Sequence, residues 1–112
     1  MVKHQPIEVR RAQLFEAALQ VCAEKGYFNT RVDDIAQRAG LSKGALYHHF
    51  SSKQELFLAL FKEMMEGFIE LMTRVMQQSP SASEALRAAV RQFVASFDQQ
   101  PGLMRGMFDL YL

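Results

Sequence analysis

The sequence predicts an all-α protein, and three observations carry that expectation. Apolar residues recur at helical spacing, no stretch shows the strict alternation of a half-buried strand, and glycine and proline fall between the periodic segments. At 112 residues the chain suits one modest core, and 49% of it is apolar.

The first helix begins near Pro6, a residue tolerated in a first turn. It carries Leu14, Ala18, Val21 and Cys22 on one face until Lys25 and Gly26 end it. Thr30 followed by Asp33 resembles a capping box with Asp in place of Glu. That places a short second helix over 31–38, closed by Gly40, with Val32, Ile35, Ala36 and Ala39 inward. Ser42 caps a third helix over 43–49. Ser52 with Glu55 makes a capping box for a long fourth helix reaching about residue 78. Ser81 with Glu84 opens a fifth, with Ala82, Leu86, Ala89, Val90, Phe93 and Phe97 along one side, and Pro101 begins a sixth.

The fourth helix has two apolar stripes, Leu56, Leu60, Met64, Phe68, Met72 and Phe57, Phe61, Met65, Ile69, Met76, so it must be covered on two sides. One stripe is expected against the first three helices. The other needs helices five and six, or something absent.

Charge is uneven along the chain. Residues 1–53 hold eight Lys and Arg against five acids, a net of +3, while the remainder holds five against seven, a net of −2. Any polyanionic partner is therefore expected on the N-terminal half. A single cysteine, Cys22, allows no internal disulfide and suits a reducing compartment, with buried filler the plainer role than redox sensing. The longest apolar run is the six residues 56–61, against the ~20 that a membrane-spanning helix needs, and the polar start has no secretory pattern. A cytoplasmic protein is the expectation.

The stretch GLSKGALYHHF carries the functional signal. Two short helices joined by three residues that include glycine form the pattern of a helix-turn-helix, whose second helix enters the major groove of DNA. Gly40 permits the backbone angles of the bend. With Ser42 as cap, Lys43 adds charge at the start of the third helix, and Gly44 allows close approach to a sugar-phosphate backbone. Leu46 and Phe50 face inward, leaving Lys43, Ala45, Tyr47 and His48 for the groove and its edges.

Over about residues 7–61 the chain resembles the N-terminal domain of the TetR family of bacterial repressors. AEKGY, DDIAQRAG, LSKGALYHHF and SSKQEL carry the likeness in order and spacing. The resemblance implies a homodimer that binds a palindromic operator in double-stranded DNA and releases it when a small-molecule effector occupies a C-terminal helical domain. It places Thr30 and Arg31 at a phosphate contact, Ser42, Lys43, Gly44, Ala45, Tyr47, His48 and His49 on the recognition helix, and Lys53 at another phosphate. Ala45 stands where Thr is common, losing a hydroxyl but able to meet a thymine methyl. Arg31 replaces a small hydroxyl residue, and Cys22 an aromatic, a loss expected to be compensated by Phe15 or Phe28.

The implied division is a helix-turn-helix DNA-binding domain over 1–53, continuing to about residue 61. An incomplete C-terminal helical ligand-binding and dimerisation domain follows over 54–112. The family's last two long helices, which dimerise, have no counterpart here, and the apolar end FDLYL reads as a cut through a longer protein.

Plainer readings stand beside these. Met65, Phe68, Met72, Phe93, Phe97, Met104, Met107 and Phe108 either form helical core or line a pocket for an apolar effector. Arg10 and Arg11 either solubilise the first helix or add to the field around DNA. Adjacent His48 and His49 point about 100° apart and make a poor metal site. No cofactor is expected, and no nucleophile, base and orienting group assemble, so an enzyme is not expected. GLSKGALY also lacks the glycine spacing of a Walker loop. The alternative from another class is a helical protein-interaction module that uses the apolar fourth helix and does not bind DNA.

Overall fold

The computed structural model describes residues 6–99 and 101–112, apart from the side chains of Phe97 and Leu103. Six helices follow one another: α1 (Ile7–Lys25), α2 (Val32–Ala39), α3 (Lys43–His49), α4 (Lys53–Gln78), α5 (Ala82–Gln99) and α6 (Pro101–Tyr111). Among the described residues there is no strand and no helix long and apolar enough to cross a membrane.

Local chemistry sets most of the boundaries. Ser42 Oγ accepts from Ala45 N–H at 3.0 Å, Ser52 Oγ from Glu55 N–H at 3.0 Å, and Ser81 Oγ from Glu84 N–H at 3.2 Å. Glu55 closes its half of the box one residue early, accepting from the backbone N–H of Ser51 at 3.1 Å and from its hydroxyl. The expected Thr30 box does not form. Arg31 is the N-cap of α2 and makes no side-chain cap bond. Thr30 Oγ1 instead donates to the Gly26 carbonyl at 2.6 Å, because a carbonyl four residues back competes for the same hydroxyl.

A single core fills the space between α1, α2, α3 and the start of α4. Leu14, Ala18, Cys22, Ile35, Leu46, Leu56, Phe57 and Leu60 are fully buried there. Each large apolar side chain contributes about 1.5–3 kcal/mol by leaving water. The first turns of α4 thus belong to the same core as the N-terminal helices.

Across this core lies α6, which approaches α1 through two glycines. A Cβ at Gly102 would run into the Leu19 carbonyl, and one at Gly106 would sit 2.9 Å from Phe61 Cζ and 3.1 Å from Cys22 Sγ. Cys22 is therefore matched by the bare backbone of Gly106 and by Phe61. The expected compensation by Phe15 or Phe28 does not occur: Phe15 stacks near Phe50 at 5.6 Å, and Phe28 is 74% exposed. The contact is tied at its end by Arg105 Nη1, which donates to the Ala23 carbonyl at 3.1 Å, and by Asp109 Oδ2, which accepts from Tyr27 N–H at 2.9 Å. The Ala23 bond satisfies one of the carbonyls that α1 leaves open in its last turn.

Of the two expectations for the second stripe of α4, cover by α5 and α6 is not met. α5 lies on α4, with Ala85 buried, Ala88 and Ala89 half-buried, and the Phe68 and Phe93 rings 6.1 Å apart. Small residues and the Phe68–Phe93 pair share that contact, and Leu86, Val90, Phe93 and Val94 remain largely exposed. Because α6 sits on α1, the second stripe of α4 is open beyond Phe61, and Met65, Ile69 and Met76 are exposed.

Gly102→Ala should therefore destabilise by at least about 1–3 kcal/mol, since a backbone carbonyl cannot yield as a side chain would. Gly67→Ala, with nothing within 4 Å of the new Cβ, should stabilise by about 0.5–1 kcal/mol. Urea midpoints of the two variants check both.

Burial lifts the Cys22 thiol from 9.0 to about 11, with the Asp109 carboxylate adding to the rise and Arg105 and Lys53 opposing it. The unfolded chain loses this proton first, so the thiol's contribution is complete below its ordinary range and is lost as pH rises through about 11. Unfolding free energy measured across that window should fall more steeply for the native sequence than for Cys22→Ala.

Candidate nucleic-acid interface

The site is built on the turn between α2 and α3. Gly40 is left-handed, with φ 73° and ψ 26°. Its N–H donates to the Gln37 carbonyl at 3.1 Å, and Leu41 N–H donates to the Ala36 carbonyl at 2.9 Å. These two bonds form a Schellman closure, which ends α2 and redirects the chain into Ser42.

Two ion pairs set α2 on α1. Arg38 meets Glu24 through two bonds of 2.6 and 2.9 Å, and Lys25 meets Asp34 at 3.3 Å. The Arg38 hydrogen bond holds the Glu24 carboxyl below its usual range, and the same bond raises Arg38. Both pairs are solvated and orient more than they stabilise.

Leu46, with no exposure, and Phe50, at 3%, anchor α3 from behind. Lys43, Gly44, Tyr47 and His48 then share the opposite side, because residues four apart on a helix lie on one face. Tyr47 is 42% exposed, Lys43, Gly44 and His48 are exposed, and Ala45 is half-buried at the edge of this stripe. Ser42 is exposed, but its oxygen is engaged as the cap. Arg31 is exposed at the start of α2. The first turns of α2 and α3 lie within side-chain reach of one another, since Lys43 Nζ is 3.2 Å from Asp33 Oδ1.

Three residues of the expected set point elsewhere. Thr30 is 2% exposed with its hydroxyl given to Gly26, so it holds the α1–α2 turn rather than presenting that group outward. Lys53 Nζ donates to the Tyr27 carbonyl at 2.9 Å and lies 4.3 Å from the centre of the Tyr27 ring. Burial lowers its pKa. His49 is half-buried beside Phe50, and desolvation first, then His48, Arg10 and Arg11, lower its pKa.

Two side chains that shape this surface have partners that sequence reasoning did not assign. Arg11 spans α1 and α4 through Glu63 at 2.7 Å and lies over the rings of Phe15 and Phe50, so it braces the back of α3. Asp33, read as a capping residue, faces Lys43. Only the adjacency of two acids in VDD could have hinted that one had another partner.

The candidate effector residues fall in separate places. Phe68 and Phe93 meet where α5 lies on α4, Met72 is half-buried and Met65 is exposed. Met104, Met107 and Phe108 line a shallow apolar recess with Tyr111 and Leu112 at the end of α6. The side chain of Phe97 lies outside the described residues.

Residues 14–60 match the family model described as bacterial regulatory proteins, tetR family. The chain is 40% identical over 88 residues to the HTH-type transcriptional activator FasR of Mycolicibacterium smegmatis, an alignment covering 79% of this chain and 40% of that protein. Among solved structures it is similar to the fatty acid degradation regulator FadR from Bacillus halodurans, with a TM-score of 0.80 and 29% identity over 91% of this chain and 52% of the other. It is also similar to the transcriptional regulator FadR from Bacillus subtilis in complex with stearoyl-CoA, with a TM-score of 0.76 and 33% identity over 82% of this chain and 50% of the other. The chain thus matches about half of these relatives' length or less.

Gly40→Ala should lose about 1–2 kcal/mol from backbone strain alone, because no atom lies within 4 Å of the added Cβ. Ser42→Ala should lose about 1 kcal/mol with the cap. Gly44→Ala adds a Cβ only 3.9 Å from Ser42 Oγ, an ordinary contact, so it should keep the native midpoint or raise it by up to about 0.5–1 kcal/mol in stability, as for Gly67→Ala. Denaturation of the three variants in parallel checks the ranking.

Proposed function

Because the chain belongs to the tetR family of bacterial regulatory proteins, we propose that it is a sequence-specific DNA-binding transcriptional regulator whose α3 lies in the major groove. The observation that carries this reading is the outward stripe of Lys43, Gly44, Tyr47 and His48, held rigid by buried Leu46 and Phe50. Lys43, Tyr47 and Arg31 position the helix on phosphates. His48 reads base edges and Ala45 meets a thymine methyl. Residues 1–53, with the start of α4, form the DNA-binding head, and 54–112 begin the regulatory part. In a homodimer two heads would sit about 34 Å apart, one helical turn, on a palindromic operator. An operator that overlaps a promoter would give repression by exclusion.

For the effector we propose an apolar chain. The Met and Phe side chains on α4, α5 and α6 suit an adaptable hydrophobic ligand, and the stearoyl-CoA complex of the similar FadR from Bacillus subtilis supports that chemistry. Repression, dimer formation and effector class all extend beyond the half of the relatives that this chain matches.

Selection of genomic fragments by the chain, followed by binding measured against salt, tests the reading. Arg31→Ala should reduce the slope of log affinity against log salt by about one unit, as expected for one lost phosphate contact. His48→Ala should weaken the selected operator more than a mixed-sequence duplex. Failure to retain any duplex at low salt would sink the proposal and favour the interaction-module alternative.

A further inference from the structure

The two consecutive aspartates at the start of α2 have different partners. Asp34 turns back to Lys25 on α1 at 3.3 Å, while Asp33 reaches forward to Lys43 on α3 at 3.2 Å. Of the four ion pairs among the described residues, Asp33–Lys43 is the most solvated, with its side chains 63% and 58% exposed. The fold does not need it: α2 is already tied to α1 by Lys25–Asp34 and by the double bond of Arg38 to Glu24, and an exposed pair adds little stability. Its place on the outward stripe is where it matters.

We propose that Asp33 limits the affinity of this surface for DNA by holding the Lys43 ammonium as an internal substitute for a backbone phosphate. This inference rests on the DNA-binding reading. A Lys43 side chain that moves onto a phosphate leaves Asp33, so the complex exchanges one anion for another and gains almost no net charge neutralisation at that point. Attraction to any duplex is mainly ionic, through release of counterions from neutralised phosphates. The restraint therefore acts on affinity for every sequence and leaves base reading by Ala45 and His48 untouched.

The test uses the full chain and a labelled mixed-sequence duplex, with binding followed by fluorescence anisotropy from about 50 to about 200 mM salt. Asp33→Asn should bind roughly two- to fivefold more tightly at the low end, and its salt slope should steepen by close to one unit. Asp33→Ser, a second neutral residue suited to a helix's first turn, should repeat both changes, which separates charge from any local effect on α2. In a Lys43→Ala background the gain should vanish, because Asp33 is argued to act through that lysine.

Equal affinity and slope for native and Asp33→Asn chains would overturn the proposal while leaving the DNA-binding reading intact. A gain that survives in the Lys43→Ala background would also overturn it, since Asp33 would then act on the duplex directly. A native chain that binds no duplex at the lowest salt would remove the DNA-binding reading, and this proposal with it.

Discussion

The left-handed turn at Gly40 is the constraint on which the outward surface depends. Its φ of 73° lets two carbonyls at the end of α2 find donors within two residues, so the chain reverses without leaving buried groups unpaired. Only after that reversal can Leu46 and Phe50 drop into the core beside Ile35 and Leu14. Once they are buried, helical geometry leaves Lys43, Gly44, Tyr47 and His48 no other side to occupy. One backbone conformation thus decides which side chains face outward, and hydrophobic burial supplies the energy that keeps them there.

Electrostatics on this half of the molecule are more economical than the count of basic residues implies. Of the cations in residues 1–53, Arg38 and Lys25 join α2 to α1, Arg11 joins α1 to α4, and Lys53 is folded over Tyr27. Arg31 and Lys43 are the basic groups carried by the first turns of α2 and α3, and Lys43 has a carboxylate beside it. Formal charge therefore overstates how strongly the surface attracts a polyanion. A modest field suits the proposed reading of bases, because phosphate attraction is indifferent to sequence.

What could be read in the sequence divides by distance along the chain. The caps at Ser42, Ser52 and Ser81 were legible because donor and acceptor lie three residues apart. So was the Gly40 bend, together with the inward set of α2 and the outward stripe of α3. Thr30 misled because its hydroxyl had two local choices, and propensity alone does not say that the Gly26 carbonyl wins over the helix start. The Lys53 bond was illegible because its partner is a backbone carbonyl 26 residues earlier, which no side-chain pattern announces. The coverage of α4 was illegible for a similar reason. α6 chose α1 through Gly102 and Gly106, and glycine writes nothing into a pattern of apolar side chains.

Those long-range contacts converge on residues 26–30. Gly26 lies beneath Arg105 and Asp109, where a Cβ would come within 3.0 Å of the guanidinium. Tyr27 gives its N–H to Asp109, its carbonyl to Lys53 and its ring to the edge of Phe57 at 5.1 Å, while Thr30 locks the turn onto the Gly26 carbonyl. α1, α4 and α6 therefore all fix the one short segment from which α2 departs. Since α2 leads through Gly40 directly into α3, the direction of the outward stripe is set partly by contacts made 82 residues away. The packing that makes α6 hard to foresee from sequence is the same packing that makes it a structural support of the outward stripe of α3.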